Sequence, residues 1–108
     1  MTMIAGKLRH RVQIQEPTTI DDPTSGGSYE TWATVATVWA QVTPARGREF
    51  WDIRKSNSEV EGRVTMRHRE LDPTKRLLHK GRPLEILFIT NREERGEMLE
   101  VFYKEAQT

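Results

Sequence analysis

The sequence predicts a mainly β chain, a small antiparallel β-barrel with a long loop and one short helical segment. Three observations carry that expectation. Apolar and polar residues alternate with period two in several short runs, turn-forming residues separate the runs on a rhythm of roughly 8 to 15 residues, and the composition is too polar for a thick core. Of 108 residues, 35% are hydrophobic and 31% charged, and the mean hydropathy is -0.72. A chain of this length forms one domain, here residues 1–108, because single cores divide only above roughly 250 residues. Closing such short strands into a barrel hides edges that would otherwise pair with other chains.

The elements follow in order. From Leu8 to Gln15, Leu8, His10, Val12 and Ile14 share one face and Arg9, Arg11, Gln13 and Gln15 the other, the pattern of a half-buried strand. Glu16 to Glu30 contains two prolines and two glycines and reads as a long exposed loop, an arm suited to ordering on a partner or a plain hairpin connection. Glu30 to Thr43 is rich in Thr, Val and Trp and predicts a second strand. Trp32 and Trp39 lie on opposite faces of an unbroken strand, so burying both in one core requires a break, expected near Ala36.

Between Arg46 and Ser58 the alternation stops, and Phe50, Trp51 and Ile53 stand among charged residues, which fits a short helix or a structured loop. Glu59 to Arg69 is the cleanest strand, with Val60, Gly62, Val64, Met66 and His68 on one side. Leu71-Asp72-Pro73 ends it. Arg76 to His79 and Arg82 to Thr90 then form a hairpin through Lys80-Gly81, and Glu97 to Glu105 is the last strand.

Charge and motifs narrow the chemistry. Seventeen basic and sixteen acidic side chains are interspersed and leave a net charge of +1, unlike the basic excess of a sequence-independent nucleic-acid binder. With no cysteine, disulfides and thiolate metal sites are excluded, and the chain suits a reducing cytoplasm. Residues Met1 to Gly6 lack the apolar core of a signal peptide, and no run is long enough to span a membrane. His10, His68 and His79 stand far apart in sequence and in no ligand spacing, so His10 and His68 read as barrel-wall residues. Asp21-Asp22 and Glu93-Glu94 read as solvated loop charge. Thr24-Ser25-Gly26 is no nucleophile elbow, and Gly47 is not part of a phosphate loop. No catalytic, cofactor or metal residue is assigned. Phe50 and Trp51, flanked by Arg46 and Arg48, have the composition of an interface hot spot or of a plug at a barrel end. Asp21, Asp22 and Tyr29 on the arm join them as candidate interface residues.

Four segments taken together carry a resemblance: the Gly6-x-Leu8-Arg9-His10-Arg11 start, Trp39-Ala40-Gln41-Val42 running into Gly47-Arg48-Glu49, the hairpin around Lys80-Gly81, and Leu99 to Glu105. In that order and spacing they resemble the head closure, or head–tail joining, proteins of long-tailed bacteriophages, over almost the whole chain. The resemblance implies a small β-barrel with a projecting loop that performs no reaction, synthesised in the host bacterial cytoplasm and carried in the virion. It implies a ring of identical subunits, twelvefold when assembled. The ring would sit on the portal or adaptor protein, meet a tail completion or terminator protein, and surround packaged double-stranded DNA in its channel, away from any membrane.

By the same resemblance, Thr43 to Ser58 is the channel-gating segment. Arg46, Gly47, Arg48, Glu49, Arg54 and Lys55 are its candidate residues. Arg46, Arg48, Arg54 and Lys55 outnumber Glu49 and Asp52, and a ring repeats that excess around its axis as a collar that attracts phosphate. Ring closure needs heterologous contacts, which an unpaired strand or the Glu16 to Glu30 arm can supply through backbone hydrogen bonds. A rival reading is an oligonucleotide-binding barrel that stacks bases on Trp39 and Tyr103.

Overall fold

The computed structural model describes residues 8–92 and 97–106, with the backbone alone at Glu49 and Arg92. Six strands, β1 (His10–Asp21), β2 (Ser28–Pro44), β3 (Gly62–Arg67), β4 (Arg76–His79), β5 (Arg82–Arg92) and β6 (Met98–Glu105), form a closed barrel in the order β1-β2-β3-β6-β5-β4. Every neighbouring pair is antiparallel. A one-turn 3-10 helix (Arg48–Phe50) leads into the short helix α1 (Trp51–Ser56) between β2 and β3. The expected fold class is the observed one.

The core follows the alternation. Val12, Ile14, Ala40, Val64, Met66, Leu77, Leu84, Ile86, Leu99, Val101 and Tyr103 fill the barrel, all buried. Gly62 faces Tyr103 across the β3–β6 ladder, and a Cβ on Gly62 would overlap the Tyr103 ring and the Thr43 carbonyl. The missing side chain is therefore the space in which the tyrosine lies, an aromatic covering a strand glycine. Lys80 and Gly81 both have positive φ, 53° and 78°, as a two-residue type I′ hairpin turn requires.

Two single-residue slips interrupt the pleat. Ile14 pairs with Ala36 but Gln15 pairs with Thr34, so Val35 is a bulge in β2. Ile86 pairs with Tyr103 but Phe88 with Phe102, so Leu87 is a bulge in β5. The break expected near Ala36 is thus present, but its effect is the reverse of the one anticipated. Trp39 pairs with Arg11 and Trp32 with Pro17, which puts both tryptophans on the outer face, 53% and 37% exposed. The second slip turns Phe88 outward, where it stacks on Phe102 at 4.5 Å between ring centroids. Phe50, 1% exposed, packs with Val60 and Phe102 on this outer wall, supported by Ile53, Leu87 and Phe88, and so fixes the helical segment to the barrel.

The long loop is corrected. β1 continues past Gln15 to Asp21 and β2 begins at Ser28, leaving only a tight turn at 22–27. Because β4 pairs with β1 only at Gln13, Ile14 and Gln15, the part of β1 beyond Gln15 and its partner residues of β2 run on as a two-stranded arm. Pro17 is tolerated because its β4-side edge has no strand to bond. The threonines at 18, 19 and 31 favour extended backbone there, and of the segment's prolines and glycines Pro23, Gly26 and Gly27 belong to the turn. Asp22 holds that turn: its Oδ1 accepts from the Thr24 N–H at 2.9 Å, and its backbone N–H donates to the Gly27 carbonyl at 2.8 Å.

Two stability outcomes follow. Gly62→Ala is expected to cost about 1–3 kcal/mol by overpacking against Tyr103, read as a lower urea midpoint. Phe50→Ala is expected to cost about 3–5 kcal/mol, whereas Trp51→Ala, at an exposed position, should stay within about 0.5 kcal/mol of the parent; equal losses for the two would refute the packing assigned to Phe50.

Candidate functional site

With the barrel interior filled, the surfaces left for contact are its outside and the cavity at one mouth. The segment following β2 carries the residues expected to gate a channel. Gly47, at φ 74°, takes a left-handed backbone that suits glycine and turns the chain into the 3-10 helix. Arg46, Arg48 and Arg54 are exposed and have no carboxylate partner among the described residues. Arg48 lies 5.8 Å from the Trp51 ring centroid, and Lys55 pairs with Asp52 at 3.7 Å. The side chain of Glu49 lies outside the described residues. Trp51 is 61% exposed, while Phe50 is consumed by packing within the chain and offers no free surface. Of the two aromatics, one anchors and one is displayed.

The arm presents the other predicted residues. Asp21 is exposed at its tip, opposite Ser28. Asp22 is engaged by its own turn, and the hydrogen bonds donated by Thr24 and Ser25 hold its carboxyl below the ordinary carboxylate range. Tyr29 and Ile20 oppose one another across the ribbon, 54% and 42% exposed. The arm and the 46–55 segment belong to different elements, and the fold does not join them into one site.

Other surfaces were not foreseen. Arg11 lies 4.5 Å over Trp39, and Arg76 lies 4.6 Å over Trp32. Arg76 also donates from Nε to the Gln15 Oε1 at 2.8 Å, and the Gln15 side-chain amide donates to the Thr34 hydroxyl at 3.1 Å. Both tryptophans therefore act as outward platforms covered by guanidinium groups, an arrangement with interface character. The partners could be found only from the strand register, because Arg76 is far from Trp32 in sequence.

His10 and His79, separated in sequence, meet at the barrel mouth with ring centroids 5.2 Å apart. His10 Nδ1 accepts the Val42 N–H at 3.1 Å. Burial, then the neighbouring His10, lowers the pKa of His79 and favours its neutral form. They border a cavity of about 310 Å3 shared with Arg46, Arg82, Tyr103 and Glu105. Burial, reinforced by Glu105, pushes the Tyr103 phenol up. His68, expected on the wall's inner face, is exposed beyond the end of β3. The base-stacking pair of the rival reading is also separated: Trp39 is outside, whereas Tyr103 is 5% exposed and part of the barrel core. No three His, Asp or Glu side chains among the described residues come together as a metal site.

Known proteins place the chain. A solution structure of a protein from Shigella flexneri 2a is 28% identical, with a TM-score of 0.71, covering 94% of this chain and 95% of that one. A chain from the virion of a native gene transfer agent particle is 23% identical, with a TM-score of 0.62 over 92% of this chain and 96% of that one, and shares the fold. No curated protein sequence matches. The model of the phage head completion proteins matches residues 3–106. With nearly its whole length matched to that model, the chain belongs to the phage head completion protein family, structural proteins of the virion.

Proposed function

We propose that the protein is a ring subunit of the connector between head and tail. It docks on the portal or adaptor, closes the DNA exit channel after packaging and offers the surface on which the tail is joined. The observation that carries this reading is the family match over residues 3–106. Its physical support is the division of the molecule into a filled barrel and displayed contact features: an arm, two Arg–Trp platforms and an exposed basic segment. A filled barrel has no pore of its own, so a channel arises only between copies. Identical subunits then place each charged side chain at equal intervals around the axis.

In this reading the 46–55 segment faces the channel and acts by charge. Phe50 anchors it to the wall, so it cannot swing far without giving up buried contacts. Arg46, Arg48 and Arg54 instead form a repeated basic collar that holds phosphate, and the rest of the chain, close to neutral overall, lets DNA leave on ejection. Trp51 and the mouth are available to neighbouring connector proteins.

Heads assembled without the protein, mixed with tails with and without it, test the joining role. Infectious particles are expected only when it is added, and DNA-filled, tailed particles in its absence would overturn the reading. Heads completed with the Arg46→Glu, Arg48→Glu variant are expected to lose DNA to added nuclease while the variant still binds them; undiminished retention would remove the collar from the mechanism.

A further inference from the structure

Charge is partitioned along the chain in a way the net value hides. Between Arg11 and Arg46 there is no Lys, Arg or His, and the carboxylates of that stretch are Glu16, Asp21, Asp22 and Glu30. All of them lie on the arm or its turn. The outer wall at the other end of the same ribbon has the opposite character. A cleft of about 280 Å3 is bordered there by Arg11, Trp39, Arg67, His68 and Arg69, with no acidic side chain lining it. Arg11, Arg67 and Arg69 make no ion pair among the described residues, and the Arg69 Nε is shielded from solvent without a hydrogen-bond partner there. A half-exposed tryptophan forms part of the cleft wall.

The two features cannot satisfy each other within one copy. Arg11 and Asp21 are the two ends of one extended strand, about 33 Å apart at about 3.3 Å per residue. The ribbon points its acidic tip away from its basic cleft. A second copy has both features in the same relation, so tip to cleft is a heterologous contact that repeats, and such contacts close into rings when the rotation allows. Chemistry at the tip suits the cleft. Asp21 and Glu30 stand on one face of the ribbon, ready to pair with guanidinium groups, and Ile20 and Tyr29 on the other supply apolar area for Trp39.

Resting on the ring reading above, we infer that the acidic arm tip of one copy seats in the Arg11–Trp39–Arg67–Arg69 cleft of the next, as the repeating contact of the ring. The occupant is this same chain, chosen by complementary charge and by the arm's reach. Opposite charges across the contact also steer docking and set its direction around the ring.

The absence of cysteine makes the test clean. A chain carrying Asp21→Cys and Arg67→Cys, both at exposed positions, is assembled onto heads and treated with a short bis-maleimide. A ladder extending beyond dimers on a denaturing gel is expected, and neither single variant should give one. A dimer from Asp21→Cys alone would mean arm meets arm and would overturn the inference. Charge reversal supplies the second arm of the experiment. Asp21→Lys with Glu30→Lys, or Arg11→Glu with Arg67→Glu, should each lower the yield of completed particles at least about tenfold, since each sets like charges against each other across the interface. All four in one chain should restore it. If the cleft reversal instead leaks DNA and the arm reversal does not rescue it, the cleft holds nucleic acid and the inference fails. Missing ladders in particles that still join tails overturn the contact but leave the connector reading intact, whereas ladders in particles whose tails attach without the protein do the opposite.

Discussion

Two slipped residues in the sheet, Val35 and Leu87, decide which side chains this barrel buries and which it displays. In a pleated strand the parity of a residue sets its face, and a bulge inverts that parity for everything beyond it. A small closed barrel needs strongly coiled strands, and bulges provide local twist and bending. Here the same devices also do functional sorting. The slip in β2 brings Trp32 to the face that holds Trp39, and the slip in β5 turns Phe88 out to meet Phe102. One creates a pair of external aromatic platforms, and the other creates the seat for Phe50.

That seat explains how a short charged helix can persist. α1 contains no buried residue of its own, and a helix of this length has little intrinsic stability in water. It holds its place because Phe50, just ahead of it, is packed on the barrel wall, with Ile53 beside it. The segment's charges are therefore displayed from a fixed platform. Anchoring and display are divided between adjacent aromatics, Phe50 and Trp51.

Electrostatic organisation follows the ribbon of β1 and β2. Its far end is acidic and its near end basic, while some of the charge elsewhere is paired locally, as in Arg63–Glu100 at 3.3 Å and Arg82–Glu105 at 3.1 Å. An exposed pair such as Arg82–Glu105 contributes little to stability. Segregated charge is different, because it is left over for contacts with other molecules. An assembly component gains direction from such a dipolar layout without needing a large apolar face that would aggregate before docking.

Much was legible in the sequence. Alternation in Leu8 to Gln15 and Glu59 to Arg69, the Lys80-Gly81 turn and the break in pattern after Arg46 determined the strands, the hairpin and the position of the helical segment, because these depend on local backbone preference and period. The family likeness was also legible, since it rests on spacing along the chain. What only the tertiary structure decided was facing and partnership. Pro17 and the glycines at 26 and 27 made an arm look like a loop, because local signals do not show whether a proline's missing donor faces an unpaired edge. His10 meeting His79, Arg76 covering Trp32 and Phe50 disappearing into the wall all depend on register between distant strands, and register is fixed by closure of the whole barrel.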